Sequence, residues 1–168
     1  STARELGGVP TWCSTNVVKP SDAVVGGLGS TEFTAGTAIS FNQSNFDSLM
    51  QQIWNKGGRP DTCYLTDVAM NSALGFVGNN NQRNNVKKDE VSNMVDVYST
   101  PWGTVMFQMS REIDATLDYA FIAQSEYWKV GVLRGTKQEP LAKNGDNSKR
   151  QVVTELTLVS ANEESSGI

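Results

Sequence analysis

The chain has 168 residues, of which 38% are apolar and 19% charged, with a net charge of −4 and a pI near 4.8. That length supports one compact core and is short for two full domains. The acidic balance disfavours a surface built to neutralise phosphates, and the lack of histidine removes any Ser-His-Asp or Cys-His catalytic set.

Cys13 and Cys63 lie far apart and outside any C-x-x-C spacing. Two buried thiols are therefore expected rather than a zinc site, a redox motif or a disulfide. No apolar run approaches the ~20 residues that span a bilayer, and residues 1–5 carry no signal-peptide pattern. The absence of an initiator methionine predicts a processed chain or a fragment.

In chain order, the stretch to about Gly36 holds Gly7-Gly8, Pro10, Pro20, Gly26-Gly27 and Gly29, too many breakers for a long helix. Loops and a short strand are expected there. Residues 44–56 carry the clearest helical pattern: Phe46, Leu49, Met50, Ile53 and Trp54 form one apolar stripe. All five are expected in the core, with Ser44 as N-cap, Asp47 in the first turn, and Gly57-Gly58 then Pro60 as the stop.

Residues 62–65 read as a short buried strand, and Thr66 or Asp67 caps a second helix whose apolar contributors include Val68, Ala69, Ala73, Leu74 and Phe76. Gly78 is its expected end. Residues 79–90 form a polar tract, Asn79-Asn80-Asn81-Gln82-Arg83-Asn84-Asn85 followed by Lys87-Lys88-Asp89-Glu90, expected as an exposed loop.

The second half reads as β-rich. Residues 94–99 and 105–109 are expected strands joined by a turn at Thr100-Pro101-Trp102-Gly103, with Val105, Phe107 and Met109 on the more buried face. Residues 119–123 and 127–133 are further strands, 139–150 a polar loop, and 151–159 a final strand. Helices interspersed with mostly antiparallel strands predict an α+β fold.

No catalytic constellation stands out. Asp114 and Asp118, with Glu112 nearby, share a face if helical, as paired carboxylates do, but no third ligand or basic partner is spaced beside them. The stretch Lys143-Asn144-Gly145-Asp146 lacks the phosphate-loop spacing and reads as a turn. No metal, cofactor or catalytic residue is assigned. The competing readings are a carbohydrate- or receptor-binding module that displays Trp12 and Trp102, and a hydrolase that uses Asp114 and Asp118.

One ordered string carries more information. Val95-Asp96-Val97-Tyr98-Ser99-Thr100-Pro101-Trp102-Gly103-Thr104-Val105 is followed by Ser110-Arg111-Glu112-Ile113 and by Trp128-Lys129-Val130-Gly131-Val132-Leu133-Arg134. The string closes with Glu139-Pro140-Leu141-Ala142-Lys143-Asn144-Gly145-Asp146 and Val153-Thr154-Glu155-Leu156-Thr157-Leu158. Upstream stand Ala3-Arg4-Glu5-Leu6-Gly7-Gly8-Val9, Trp12-Cys13-Ser14-Thr15-Asn16 and Asn55-Lys56-Gly57-Gly58-Arg59-Pro60.

This order resembles the SU-ten-type major capsid proteins of tailed bacteriophages, a branch of the Hong Kong 97-like coat fold. Cys13 and Trp102 depart from the family's usual aliphatic residue and phenylalanine, but both stay apolar. The resemblance implies a non-enzymatic shell subunit that forms pentamers and hexamers around DNA in the virion and is assembled in the bacterial cytoplasm. It implies no cofactor, no membrane and no specific nucleic-acid binding. It also implies one capsid body over 1–168, with 1–40 an irregular peripheral segment and 41–168 an axial-type core closed by a returning C-terminal strand. The N-terminal arm and extended loop of the family would lie outside this stretch, which alone is expected to be monomeric. Asn79, Asn80, Arg83, Asn84, Lys143, Asn144 and Asp146 are the expected subunit contacts, and Phe46, Leu49, Ile53, Trp54 and Phe107 the expected core anchors.

Overall fold

A computed structural model describes residues 6–26, 33–34, 36–37, 39–76, 81–82, 97–113, 119–142 and 145–168. Among these residues two helices, α1 (Gln43–Asn55) and α2 (Asp67–Leu74), accompany seven strands. These are β1 (Thr62–Leu65), β2 (Asn81–Gln82), β3 (Val97–Thr100), β4 (Gly103–Met109), β5 (Phe121–Ala123), β6 (Trp128–Pro140) and β7 (Arg150–Ser160). The fold is α+β, as the sequence predicts.

Helix α1 starts at Asn42, not Ser44. The Asn42 side chain accepts from the Asn45 amide at 2.8 Å, while Ser44 lies inside the first turn with its carbonyl accepting from the Ser48 hydroxyl. Asparagine and serine are both good caps, and the helix takes the earlier one. Its end follows expectation. Gly57 adopts φ +84°, and the Gly57 and Gly58 amides return to the Trp54 and Ile53 carbonyls. This Schellman geometry favours glycine because other residues resist positive φ.

Phe46, Leu49, Met50 and Ile53 are buried, but Trp54 is 45% exposed and is corrected as a core anchor. At about 100° per residue it falls on the rim of the stripe, where the Arg59 guanidinium sits 6.0 Å from its ring centre. In α2 the Thr66 hydroxyl caps the helix by accepting from the Ala69 amide at 3.2 Å. Ala69 and Ala73 are buried, whereas Val68 faces outward. The helix stops at Gly75, before the expected Gly78.

Five strands form one sheet in the order β2-β3-β4-β1-β5. Among the described residues only β1 and β4 run parallel, and α2 lies within the connection between them. Cys63 and Leu65 of β1, Val105 and Phe107 of β4, and Ile122 of β5 meet both helices in the main core. Phe46 is its hub, with edge-on contacts to Tyr98 at 5.4 Å and Phe107 at 5.5 Å. Met109, expected on the buried side, is exposed at the strand end.

A smaller core of Cys13, Phe121, Ala123 and Ile168 occupies the other face, with Tyr64 stacked on Phe121. Burial pushes both thiols up, Cys13 to about 12 with Glu163 adding to the effect. Both cysteines are free, and their thiols are held protonated at neutral pH.

Strands β6 and β7 form a separate two-stranded antiparallel ribbon. This corrects two expectations. The polar loop at 139–150 is shorter, because Gln138↔Val152, Glu139↔Gln151 and Pro140↔Arg150 are paired. The final strand pairs with β6, and it is the tail after it that returns to the beginning of the chain. Residues 94–96 of the expected strand lie outside the described residues. Among the described residues, no helix is long and apolar enough to cross a membrane.

The unequal burial of the α1 aromatics gives a direct check. Phe46→Ala is expected to cost about 3–5 kcal/mol by opening a cavity in the aromatic hub. Trp54→Ala is expected to cost under about 1 kcal/mol. Urea unfolding of both variants measures the difference.

Candidate assembly surface

Residues 163–168 are threaded between β5 and the segment 14–18. Gly167 bridges Ile122 through backbone bonds of 2.9 Å in both directions. The Ile168 amide donates to the Asn16 carbonyl and the Val18 amide to the Ile168 carbonyl. The buried Asn16 side chain donates from Nδ2 to the Glu164 and Ser166 carbonyls at 2.7 and 3.0 Å. A Cβ on Gly58 would stand 2.8 Å from the Ser165 Cα, and one on Gly167 would stand 2.8 Å from Leu49 Cδ1. Glycine is what lets the tail lie this close.

The Glu163 carboxylate completes this clasp. It accepts from the Ser14 and Thr15 amides and from both hydroxyls. Partial burial pushes its carboxyl up, but these four bonds outweigh that effect and hold it below the usual glutamate range. Lys56 forms an exposed ion pair with Glu164 at 3.3 Å.

The ribbon springs from this clasp. At its root the Trp128 indole donates to the Ser166 hydroxyl at 2.8 Å and packs edge-on against Phe121. The Ala161 amide donates to the Tyr127 carbonyl. Beyond the root, pairing sorts the side chains onto two faces. Val130↔Leu158, Val132↔Leu156 and Gln138↔Val152 share one face, with the Thr154 hydroxyl donating to Thr136 between them. Lys129↔Val159, Arg134↔Glu155, Lys137↔Val153 and Glu139↔Gln151 share the other.

Two register shifts in β6, on either side of Arg134, set Arg134 and not Leu133 opposite Glu155, on the face that also carries Val153 and Val159. Arg134 pairs with Glu155 through two charge-assisted bonds on the charged side. The apolar face is bare: Val130, Val132 and Val152 are exposed, Leu156 is 49% exposed, and Leu133 at the first shift is 79% exposed. Among the described residues, no strand pairs with either outer edge of the ribbon.

The expected contact residues fall mostly outside what is described. Asn79, Asn80, Arg83 and Asn84 lie outside the described residues, although Asn81–Gln82 between them form β2 at the sheet edge. Lys143 and Asn144 also lie outside. Asp146 is described and is exposed at the ribbon tip beside Gly145, which has φ +95°. The tip is closed by the Leu141 amide donating to the Lys149 carbonyl. Asp114 and Asp118 lie outside the described residues, and Glu112 is exposed.

The ribbon's apolar face was missed as a surface. Its signal was present in Val130 and Val132 opposite Val152, Leu156 and Leu158 around a glycine-asparagine turn. Alternation alone does not say whether the apolar side is covered.

Little else looks like chemistry. A cleft of about 460 Å³ between the first 41 residues and the two helices is lined mainly by apolar groups such as Val18, Phe41, Leu49 and Ile122. Lys19 at its edge donates to the Ala23 carbonyl. Asp47 is pushed up by burial beside Tyr98 and Gln43, whereas Asp61 is held down by Ser125 against its own burial. These groups do not converge, and among the described residues no cluster of metal-ligating side chains occurs. Trp12 and Trp102 are half-buried, so neither is a flat open platform.

The sequence pattern of one protein family, described as SU10 major capsid protein, matches residues 1–168. No curated protein matches the chain.

The clasp yields a pH prediction. The fold holds Glu163 below its unfolded value, so folded chains bind fewer protons at this site. Its contribution is complete above the ordinary glutamate range and is lost as pH falls through the lower folded value. Glu163→Gln is expected to lower stability by about 1–2 kcal/mol at pH 7 and to flatten the acid limb of a melting-temperature profile as pH falls below the ordinary glutamate range.

Proposed function

The chain belongs to the SU10 major capsid protein family, so it is a structural protein of the phage virion, and we propose that it is the repeating shell subunit of an icosahedral head. In this reading it adopts the Hong Kong 97-like fold, forms pentamers and hexamers around the packaged DNA, and assembles in the bacterial cytoplasm. The observation that carries the reading is the family match over the full sequence.

Two structural features support it. The five-stranded sheet with α1 and α2 forms the main core of residues 41–168, proposed as the axial-type core, with 1–40 as the irregular peripheral segment. The ribbon also presents apolar side chains that a solitary subunit leaves in water. Assembly surrounds every subunit with copies of itself, and repeated heterologous contacts close into rings. The proposed contacts are Asn79, Asn80, Arg83 and Asn84 near the sheet edge, and Lys143, Asn144 and Asp146 at the ribbon tip. No step of this role needs a cofactor or a catalytic residue.

Expression of the coat protein in bacteria, followed by sedimentation and negative-stain microscopy, tests the reading. Closed particles of uniform size built from five- and six-membered units are expected. A strictly monomeric product under every assembly condition would sink it.

A further inference from the structure

The two edges of the ribbon differ in a way that selects one of them for pairing. An unpaired edge offers a row of free amides and carbonyls to any extended chain, and proteins blunt such edges with bulges, lysines, glycines and proline. Strand β6 has all of these: two register shifts, Gly131 and Gly135, Lys129 and Lys137, and Pro140 at its end. Strand β7 runs from Arg150 to Ser160 without glycine, proline or lysine and is rich in valine, threonine and leucine. One edge is protected and the other is open.

We propose that β7 pairs antiparallel with β7 of a second copy, joining two ribbons into a four-stranded sheet across a local two-fold axis. The proposal rests on the shell reading above, which supplies identical neighbours and two-fold positions. An axis perpendicular to the sheet keeps both apolar faces on the same side, so Val130, Val132, Val152, Leu156 and Leu158 of the two copies merge into one surface.

Side-chain chemistry selects the register. Centring the pair on Glu155 would set two carboxylates directly opposite, which is unfavourable. Centring it on Leu156 or on Thr154 avoids this over nine residues of the strand, and Leu156 is favoured because it sets Glu155 against polar Thr157 where Thr154 would set it against Val153. The Leu156 register sets Leu156 against Leu156, Thr154 against Leu158, Val153 against Val159 and Glu155 against Thr157. Leu156 then meets Leu156 on the apolar face and Val153 meets Val159 on the other, and Glu155 keeps Arg134.

Size decides how the contact behaves. About nine residues at roughly 3.3 Å each, on ribbons about 10 Å wide, bury well under the ~800 Å² per partner of a stable dimer. The pairing therefore needs the other shell contacts to hold it and forms on assembly, not in dilute solution.

The test is disulfide trapping in assembled particles. Opposed residues in an antiparallel pair have Cα atoms about 4.5–5.5 Å apart, within disulfide reach. Cys13 and Cys63 are buried and do not compete. Mild oxidation of Leu156→Cys particles is expected to move most chains to a dimer band on a non-reducing gel. Thr154→Cys particles, with their sulfurs' Cα atoms about 13 Å apart in this register, are expected to stay monomeric. If Leu156→Cys does not assemble, the Val153→Cys/Val159→Cys double variant must give the same dimer. Monomers from the opposed positions, or equal cross-linking at Thr154, overturn the proposal while leaving the shell reading intact. Wild-type protein that forms no particles overturns both.

Discussion

Glu163 and the tail behind it hold together parts of the chain that have little else in common. One carboxylate collects four donors from Ser14 and Thr15, and the residues after it run between β5 and the first segment. Without them Phe121, Ala123 and Cys13 would lose their cover, since Ile168 belongs to the same small core. The ribbon depends on the same place, because Trp128 is bonded to Ser166 and packed on Phe121. Main core, second face and ribbon thus meet at a junction built largely from hydrogen bonds. Such bonds contribute modestly each, but leaving their buried partners unmet is costly.

The ribbon obeys a different logic. Two strands alone are marginal in water, and this pair is further burdened by an uncovered apolar face. Its register shifts set Arg134 and Glu155 together on the opposite side. A lone subunit gains nothing from this arrangement. A subunit of a shell gains a contact element that becomes favourable only among neighbours, which separates folding from assembly.

Much of the interior was legible in the order of residues. The stripe Phe46, Leu49, Met50 and Ile53 and the stop at Gly57-Gly58 are local patterns governed by helical period and backbone freedom. Trp54 was misjudged because the width of a buried stripe depends on what packs against it, and this ring sits at the rim beside the Arg59 guanidinium. Ser44 lost to Asn42 because two neighbouring residues cap equally well. The ribbon strands were seen in part: polar stretches such as Lys137-Gln138-Glu139, solvated on both faces, show no alternation to read. The clasp was not legible at all. Its partners are hydrophilic and lie 148 to 150 positions apart, so no local pattern links them. The contact loops stay as proposals, since most of their residues lie outside the described structure.

That separation also sets an order of events. Segment 14–18 is made well before its partners at 163–168, which follow roughly 150 residues later. Until then the β5 face remains uncovered and the ribbon root has no anchor. Pairings this distant in sequence are also the slowest to form, because the loop they close is long. The junction from which the ribbon projects therefore closes late relative to segment 14–18. A chain without residues 163–168 has a ribbon root that lacks the Ser166 bond to Trp128.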